Sequence, residues 1–360
     1  MYIKSVQLDG YRNYKNATVY FDKGTNVLYG DNAQGKTNVL ESIFMCATTK
    51  SHKGTRDKEV IGFNENEAHI TMYLDKNSDE YKIDMLLRKD KSKVVAINGS
   101  KIKKATELLG VLNVVLFSPE DLGIIKDGPS ERRRFIDMEL CQLDGIYLYN
   151  LSKYNKIVDQ RNKLIKDSYN NKDLLDTLNI WDQQLISYGI PIIEKRKKFI
   201  EDLNEIIGEV HSKLTNGKEK LIISYEPDVN VDNFEKELAK SRDKDIRYKQ
   251  TGVGPHRDDF SFVVNDIDIR KFGSQGQQRT AALSLKLSEI EIVKKITGHI
   301  PVLLLDDVLS ELDSNRQNYL LNTIGDIQTI ITCTGLDDFV NNNFSINKII
   351  KVSNGTILES

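Results

Sequence analysis

The most informative absences in this sequence concern cysteine, long apolar runs and excess charge. The three cysteines, Cys46, Cys141 and Cys333, lack CxxC-type spacing, which favours reduced thiols in the core of a protein from a reducing compartment. No apolar run approaches the ~18 residues of a membrane helix, and residues 1 to 6 lack the apolar core of a signal peptide. We therefore expect a cytoplasmic protein without a membrane partner.

Charge and length set further limits. The formal net charge is only -2, so overall charge does not indicate a nucleic-acid partner, and any such contact must come from local basic patches. The 360 residues are enough for one large domain, or for several ordinary ones with a substantial core.

A strand, a glycine-rich loop and a helix are predicted near the N-terminus. Apolar residues alternate over residues 3 to 8, and a second predicted strand over residues 18 to 29 ends directly before Gly30. Residues 38 to 45 contain no helix breaker, which predicts a helix. Alternation resumes between residues 68 and 98, where Asn98-Gly99 is a hairpin signal. We expect an antiparallel sheet beside the glycine-rich loop.

The pattern becomes helical between about residues 130 and 215. A helical stretch covers about residues 131 to 168, and a heptad-like apolar seam runs from Leu174 to Leu214. The polar link at residues 170 to 173 predicts a helical hairpin, and Pro191 should kink or restart its second helix. Plain helix packing explains this pattern; a short lever arm inserted into a head domain is the more specific interpretation.

The remainder of the chain alternates between strands and helices. Strands are predicted at residues 221 to 225, 302 to 305 and 329 to 332, and helices at 279 to 296 and from about Asn315. We expect a discontinuous head of residues 1–120 and 250–360, with a helix at 274–297 at the junction, and a helical lobe of residues 121–249.

A phosphate-loop motif lies between the first strands and the first helix. It reads Gly30-Asp31-Asn32-Ala33-Gln34-Gly35-Lys36-Thr37, and its strand–loop–helix context is the one this motif requires. Its amides can hold polyphosphate, Lys36 can contact the β- and γ-phosphates, and the Thr37 hydroxyl can ligate Mg²⁺. ATP and Mg²⁺ are the expected cofactors; the alternative is a chance match in a glycine turn.

The apolar strand at residues 302 to 305 ends in two carboxylates. Asp306 is the candidate for the Mg²⁺ shell together with Thr37, and Asp307 for orienting or deprotonating the attacking water. With Lys36 they form the candidate catalytic set. Two carboxylates in this position could instead cap the next helix.

A further segment, Gly273-Ser274-Gln275-Gly276-Gln277-Gln278, resembles the LSGGQ signature of ATP-binding-cassette ATPases. The resemblance implies that Ser274, Gly276 and Gln277 of one subunit contact the γ-phosphate held by another. Residues 310 to 313 resemble the loop that crosses the dimer interface in that family, which adds Asp313 to the nucleotide-binding candidates. A plain helix cap is the alternative. With all these parts, ATP should be sandwiched between two copies of the chain.

Across its full length the chain resembles the RecF family of bacterial recombination mediators. The matching segments are residues 11 to 14, 30 to 43, 117 to 122, 128 to 137, 254 to 259 and 304 to 313. The chain departs from the family at Asp127, where glycine is usual. It departs from transporter ATPases at Cys333 and Thr334, where a switch histidine is missing, and at Asp307, where they use glutamate.

The resemblance implies a fold and a function. The fold is α/β: an ABC-type phosphate-loop ATPase head, related to the structural-maintenance-of-chromosomes (SMC) ATPases, with a helical lobe. The function is ATP-dependent DNA binding in recombinational repair and replication-fork maintenance, with a homodimer that clamps double-stranded DNA at gaps or junctions. RecO and RecR would be partners in loading RecA. The shorter side chain of Asp307 predicts a weak, DNA-stimulated ATPase, and slow hydrolysis would release the clamp.

Local basic groups are the candidates for DNA contact, although such groups are usually solvated faces. They are Lys53 and Arg56; Lys101, Lys103 and Lys104; and Arg132 and Arg133. Arg132 and Arg133 lie inside a family segment and could instead serve the head or the interface.

Two other functions remain as alternatives. One is the nucleotide-binding subunit of a membrane transporter, which the missing switch histidine and the inserted helices argue against. The other is a monomeric phosphate-loop kinase or ATPase, in which the signature segment would have no role.

Overall fold

The computed structural model describes residues 1–168, 172–336 and 345–359. The chain divides into two compact units, the first made of Met1–Asp121 and Lys286–Ser360 and the second of Leu122–Leu285. The sequence-based prediction placed the second junction at residues 249/250. Asn170 and Asn171 of the predicted polar link lie outside the described residues.

The N-terminal part of the first unit consists mainly of strands. In chain order its elements are β1 (Tyr2–Tyr11), β2 (Tyr14–Tyr20), β3 (Thr25–Tyr29), α1 (Lys36–Thr48), β4 (Glu67–Lys76), β5 (Asp79–Arg88), β6 (Val94–Ile97), β7 (Ser100–Lys101) and β8 (Val114–Phe117).

The second unit is mainly helical. Its elements are α2 (Leu122–Lys126), α3 (Pro129–Leu143), α4 (Gly145–Asp167), α5 (Leu178–Leu214), β9 (Leu221–Glu226), α6 (Phe234–Tyr248), β10 (Asp259–Val264), β11 (Ile267–Asp268), α7 (Ile269–Phe272) and the start of α8 (Gln275–Thr297). The chain then returns to the first unit with β12 (Val302–Asp306), α9 (Ser314–Thr323), β13 (Thr329–Cys333), β14 (Lys348–Ser353) and β15 (Thr356–Glu359).

An antiparallel sheet occupies one part of the first unit, in the order β2-β1-β4-β5-β6-β7. The predicted turn between β6 and β7 is present: Asn98 and Gly99 both have positive φ, 49° and 81°, the backbone that a two-residue hairpin with matched twist requires. The predicted strand over residues 18 to 29 is instead two strands in different sheets. The chain turns between them, because the Asp22 carboxylate accepts the Gly24 N–H at 3.0 Å and the Asn26 side chain accepts the Asp22 N–H at 2.7 Å.

The other large sheet of the first unit holds the loops of interest. Its order is β15-β14-β3-β13-β12-β8, with all pairings parallel except that of β15 with β14. Since parallel strands end at the same edge, the segments after β3, β13 and β12 meet there. Helix α1 contacts strands of both sheets. The predicted α/β class with a flanking antiparallel sheet is confirmed.

Helices α4 and α5 pack on each other in the second unit. Core residues of α5 follow the heptad spacing: Leu178, Leu185, Ile192 and Phe199 are all buried. The helix continues through Pro191 without restarting. The predicted stretch at 131 to 168 is two helices, because Asp144 leaves the helical conformation and its carboxylate accepts the N–H groups of Ile146 and Tyr147 at the start of α4.

None of the helices in residues 1–168, 172–336 and 345–359 combines the length and apolar composition needed to span a bilayer.

Candidate active site

Backbone geometry explains both glycines of the phosphate loop. Gly30 has φ 153° and Gly35 has φ 116°, conformations that side chains disfavour. A Cβ at Gly30 would lie 2.3 Å from the carbonyl oxygen of Val352, and one at Gly35 would lie 2.7 Å from the Asn13 amide nitrogen. A larger residue at position 30 would therefore displace the backbone of Val352, and one at position 35 would displace the side chain of Asn13.

The loop encloses the ammonium group of Lys36. This side chain is buried, and its Nζ donates to the carbonyl oxygens of Gly30 at 2.5 Å and Asp31 at 2.8 Å. Asp31, Asn32 and Ala33 form the exposed tip of the loop. The positive charge and the N-terminus of α1 thus lie at the same place, an arrangement suited to a phosphate group.

Segments distant in sequence hold the phosphate loop in place through hydrogen bonds. The Gln34 carbonyl oxygen accepts hydrogen bonds from the Asn13 side chain at 2.8 Å and from the Gly355 N–H at 3.1 Å. The Asn354 N–H donates to Gln34 Oε1 at 2.6 Å, and the Tyr14 hydroxyl donates to the Gly35 carbonyl at 3.1 Å. Sequence reasoning matched Asn13 and Tyr14 to a family segment but assigned them no role. It missed the turn at 354–355, since no local pattern connects that turn to the loop.

A buried ion pair anchors helix α1. Glu41 is fully buried and accepts from Arg12 Nη2 at 2.7 Å and Nε at 2.8 Å. Burial alone would raise the pKa of Glu41, but hydrogen bonds from Arg12, Ser51 and Tyr11 outweigh it and lower the pKa. Glu41 is therefore an anion that fixes α1 to the turn between β1 and β2.

The carboxylate strand and the phosphate loop meet, as the sheet order requires. The Thr37 hydroxyl donates to Asp306 Oδ1 at 2.8 Å, and the Thr332 hydroxyl at the end of β13 donates to the same oxygen at 2.8 Å. Thr332 Oγ1 also accepts the Asp307 N–H at 3.0 Å. Sequence reasoning missed Thr332, because it occurs in an ordinary apolar strand with no motif around it.

Asp307 has a left-handed backbone conformation and a carboxyl group whose pKa is raised. Its φ is 54°, in the left-handed region that aspartate tolerates better than most residues. Burial raises the pKa of its carboxyl group, Lys36 opposes the increase, and Asp306 adds to it. Asp307 is thus a carboxylate held close to both Lys36 and Asp306.

The donor chemistry fits Mg²⁺. Thr37 and Asp306 offer oxygen atoms 2.8 Å apart, and Mg²⁺ prefers oxygen ligands, usually one or two from the protein with the rest from phosphate and water. No cluster of three or more His, Cys, Asp or Glu suited to a metal occurs in the part of the chain that the structure describes. A Mg²⁺ ion at Thr37 and Asp306 would take its remaining ligands from phosphate and water.

The signature segment lies in the second unit and forms a reciprocal cap at the start of α8. Ser274 Oγ accepts the Gln277 N–H at 3.2 Å, while Gln277 Oε1 accepts the Ser274 N–H at 3.0 Å. Ser274 and Gly276 are exposed. Since the Ser274 oxygen acts as an acceptor within the cap, the cap does not use its hydroxyl hydrogen.

Asp313 caps helix α9. Its carboxylate accepts the Arg316 N–H at 3.0 Å and also pairs with the Arg316 guanidinium. Contact of Asp313 with a nucleotide stays a prediction.

The predicted DNA-binding residues divide into exposed and buried ones. Lys53, Arg56, Lys101, Lys103 and Lys104 are exposed.

Arg132, in contrast, is 1% exposed and donates two hydrogen bonds, of 2.6 and 3.0 Å, to the Asp259 carboxylate. This geometry does not fit the predicted contact of Arg132 with DNA, because its guanidinium is buried and already paired with the half-buried Asp259 carboxylate. Arg133 is half-buried and donates to the Asp258 carbonyl at 2.7 Å.

The two family segments at residues 128–137 and 254–259 come together in the second unit. Besides the Arg132–Asp259 pair, the buried guanidinium of Arg196 joins Asp137 at 2.7 Å and Asp258 at 2.8 Å. A cavity of about 130 Å³ lies beside this network, lined by residues that include Arg133, Tyr154 and His256. Their juxtaposition gives these segments a structural role in the helical unit.

Comparison with known proteins finds relatives over nearly the whole chain. A family model described as the RecF/RecN/SMC N terminal domain matches residues 2–357. A protein of Agathobacter rectalis named DNA replication and repair protein RecF is 61% identical over 357 residues, which cover 99% of each chain.

Solved structures show the same fold. One described as the recombination mediator protein RecF-ATP in the RecFOR pathway superposes with a TM-score of 0.93 at 37% identity, covering 100% of this chain and 97% of that one. An Smc head bound to the C-winged helix domain of ScpA gives a TM-score of 0.57 at 19% identity, covering 99% and 96% of the two chains. The second likeness is one of fold alone.

Proposed function

The chain belongs to the RecF family of ATP-binding SMC/ABC-type ATPases, and from this premise we propose that it is an ATP-dependent DNA-binding protein whose homodimer closes on DNA. The observation that supports the proposal best is the hydrogen bond from Thr37 to Asp306 at 2.8 Å. It joins the phosphate loop and the carboxylate strand into half of a nucleotide site. Family membership argues against a transporter subunit and against a monomeric kinase.

Nucleotide binding would depend on the phosphate loop. The amides of residues 30 to 37 and the N-terminus of α1 provide donors for phosphate oxygens, and Lys36 provides the charge. Lys36 would exchange its hydrogen bonds to the Gly30 and Asp31 carbonyls for phosphate oxygens. Mg²⁺, when bound at Thr37 and Asp306, would neutralise phosphate charge.

Hydrolysis would depend on Asp307. Its carboxylate lies next to Asp306 and Lys36, where it can orient the attacking water and accept a proton. Its side chain is one methylene shorter than glutamate and should position water less well, so we expect slow turnover. Stimulation of that turnover by DNA belongs to the same proposal.

The second half of each site would come from a second copy of the chain. Within the Ser274–Gln277 cap the serine oxygen accepts a hydrogen bond, which leaves its hydroxyl hydrogen to donate to the γ-phosphate of the partner's nucleotide. The first-turn N–H groups of α8, including that of Gly276, have no intrahelical acceptor and favour an anion in the same position. The bound nucleotide would thus hold the dimer together.

The biological setting is proposed by analogy. The relatives are named DNA replication and repair proteins, and the solved structures are described within the RecFOR pathway. We place the chain at gapped or branched double-stranded DNA in the cytoplasm, acting with RecO and RecR to promote loading of RecA.

Three substitutions test the ATP-dependent dimer by light scattering and DNA binding. Lys36→Met should weaken both dimerisation and DNA binding in ATP. Asp307→Asn should prolong both, since closure survives while hydrolysis fails. Ser274→Arg should block dimerisation with monomer nucleotide binding largely intact. A wild-type chain that stays monomeric in ATP, or a Lys36→Met variant that dimerises and binds DNA normally, would refute the proposal.

A further inference from the structure

A chain of hydrogen bonds connects the signature segment to the end of the long helix α5. Gln277 Nε2 donates to Glu219 Oε1 at 2.9 Å, and Glu219 Oε2 lies 3.2 Å from Nε2 of His211 in the last turn of α5. Glu219 stands in the segment between α5 and β9. All these residues belong to the second unit, so the connection lies within one compact body.

Glu219 determines which way the Gln277 amide faces. A glutamine side chain has one oxygen that accepts and one NH₂ group that donates, whereas an ionised carboxylate only accepts. The NH₂ group must therefore face Glu219, and the amide oxygen is left for the Ser274 N–H at 3.0 Å. The opposite orientation would place two donors against each other and break the cap.

The other end of the connection is equally fixed. Ser284 Oγ donates its hydrogen to the Thr280 carbonyl at 2.7 Å, so it accepts from His211 Nδ1 at 2.8 Å. The ring of His211 is fully buried. It is held with Nε2 towards Glu219, and a displacement at the end of α5 would be transmitted to that carboxylate.

We propose that Glu219 is a positioning residue that holds the signature cap in its phosphate-binding form and links it to the end of helix α5. The idea rests on the proposed function, because Ser274 and Gln277 are taken to meet the nucleotide of a second copy. It goes further by naming the residue through which a displacement at the end of α5 would reach the signature segment.

Two variants separate positioning from simple loss of packing. Glu219→Leu removes the acceptor, and we expect about a tenfold higher ATP concentration for half-maximal dimerisation, as for loss of one hydrogen bond to a charged group. Glu219→Gln is the control. It still offers an amide oxygen to the Gln277 NH₂ group, so its dimerisation should stay within about twofold of wild type. ATP binding by the monomer should be unchanged in both.

A second measurement does not depend on the dimer. Amide hydrogen exchange of a peptide covering residues 271 to 281, in the protein without nucleotide, should be faster in Glu219→Leu and unchanged in Glu219→Gln. Only the leucine variant releases the Gln277 side chain, whose oxygen accepts the Ser274 N–H. His211→Leu combined with Glu219→Leu should be no worse than Glu219→Leu alone if the two residues act in one connection.

The outcomes separate this inference from the proposed function. Wild-type dimerisation and exchange in Glu219→Leu would overturn the role of Glu219 and leave the ATP-dependent dimer intact. Equal defects in the leucine and glutamine variants would reduce the role to packing and also overturn it. If the wild type fails to dimerise, the proposed function is refuted, and the exchange measurement still decides whether Glu219 holds the cap.

Discussion

At the residue scale, one hydroxyl group organises the carboxylate end of the site. Thr332 donates to Asp306 at 2.8 Å and accepts the Asp307 N–H at 3.0 Å, so it fixes a side chain and the next backbone unit together. Thr37 approaches Asp306 from the other side. A displacement of the Thr332 hydroxyl would therefore move both Asp306 and Asp307, the two proposed functional carboxylates.

Thr332→Val tests this arrangement. We expect the rate of ATP hydrolysis to fall about tenfold, the effect of one lost hydrogen bond to a charged group, while ATP affinity changes by less than about threefold. ATP affinity should change little because the substitution leaves the phosphate loop unchanged. Turnover and nucleotide titration measure the two effects. Thr332→Ser keeps the hydroxyl and should restore the rate; a serine variant as slow as the valine one would contradict the argument.

The raised pKa of Asp307 predicts the acid side of the pH profile. Burial favours the neutral carboxylic acid, so at a given pH Asp307 is protonated to a greater extent than an exposed aspartate. Hydrolysis should therefore decline as pH falls, starting at a higher pH than the usual aspartate value would give. A kcat profile measures the decline. The variant Asp307→Asn lacks the titrating group, so its ATP-dependent dimerisation should not change over the pH range in which kcat of the wild type declines. A parallel decline in its dimerisation would assign the pH dependence to another group.

Sequence reasoning was most effective for residues inside motifs. Lys36, Thr37 and Asp306 were selected from spacing and chemistry alone, and the structure brings them together. Thr332 and Glu219 were not, because their roles depend on which strand or helix lies beside them in space. Arg132 was chosen as a basic residue, yet its buried guanidinium pairs with Asp259, a partner that no local pattern reveals.

At the element scale, the turn between β14 and β15 supports the phosphate loop. Asn354 and Gly355 hydrogen-bond to Gln34, and Gly355 has φ 69°. A Cβ at Gly355 would lie 2.2 Å from the carbonyl oxygen of Asn13. Position 355 therefore has no space for a side chain.

Gly355→Ala should lower both thermal stability and ATP affinity, the latter by about tenfold, because the turn must move away from Gln34. Gly99→Ala is a matched control. Gly99 also has positive φ, 81°, but a Cβ there would have no neighbour within 4 Å. That change should cost only about 1 kcal/mol of conformational strain and leave ATP affinity unchanged. Equal effects of the two alanines on ATP affinity would remove the proposed support.

The helical unit should be sensitive to mild acid through His256. Burial lowers the pKa of His256 to about 4, and the Arg257 charge adds to the decrease. The folded imidazole stays neutral, accepting from the Tyr154 hydroxyl at 2.7 Å and donating to the Thr251 carbonyl at 3.0 Å. In the unfolded chain the same group takes up a proton near pH 6.5. The unfolded state thus binds more protons between these values, and stability falls as pH falls through them.

Between about pH 7 and about pH 5, this linkage should remove about 2 kcal/mol from the unfolding free energy of the unit that contains His256. Urea unfolding at the two pH values measures the loss. In His256→Asn the difference should shrink by a similar amount, since carboxylates contribute equally in both proteins. An unchanged difference would mean that His256 is already charged in the folded state.

Element boundaries show what patterns alone leave undetermined. The apolar alternation over residues 18 to 29 continues across Asp22, yet side-chain hydrogen bonds turn the chain there and send β2 and β3 to different sheets. Pro191 was expected to kink or restart a helix. Helix α5 continues through it, since a proline removes one N–H while packing along the seam retains the helix.

At the scale of the whole molecule, the motifs determined more than the composition did. The order of phosphate loop, signature segment and carboxylate strand predicted an ATPase head interrupted by a helical part, and the family match agrees. The domain limits remain a prediction. The compact units divide within α8, after Leu285, because a long helix carries the chain from one unit into the other without a linker that a sequence pattern could mark.

DNA binding also belongs to this scale, because a net charge of -2 leaves it to local groups. Lys101 lies in β7 at an edge of the antiparallel sheet, and Lys103 and Lys104 follow it, all exposed. We expect Lys101→Gln, Lys103→Gln and Lys104→Gln, combined in one protein, to weaken DNA binding of the ATP-bound dimer. The slope of log affinity against log salt should decrease by about 0.9 for each DNA phosphate that the variant no longer neutralises.

The comparison between basic groups makes that experiment decisive. Lys53→Gln with Arg56→Gln tests the other exposed candidates in the first unit, and Lys236, Lys240 and Lys244 on α6 provide a control of equal charge in the second unit. The two triple variants lose the same net charge, so an effect of net charge alone would be common to both. Only the removal of a side chain that pairs with a phosphate also reduces the salt slope, since fewer counterions are then released. An equal slope in the β7-edge variant and the α6 control would exclude this edge as the DNA-binding surface.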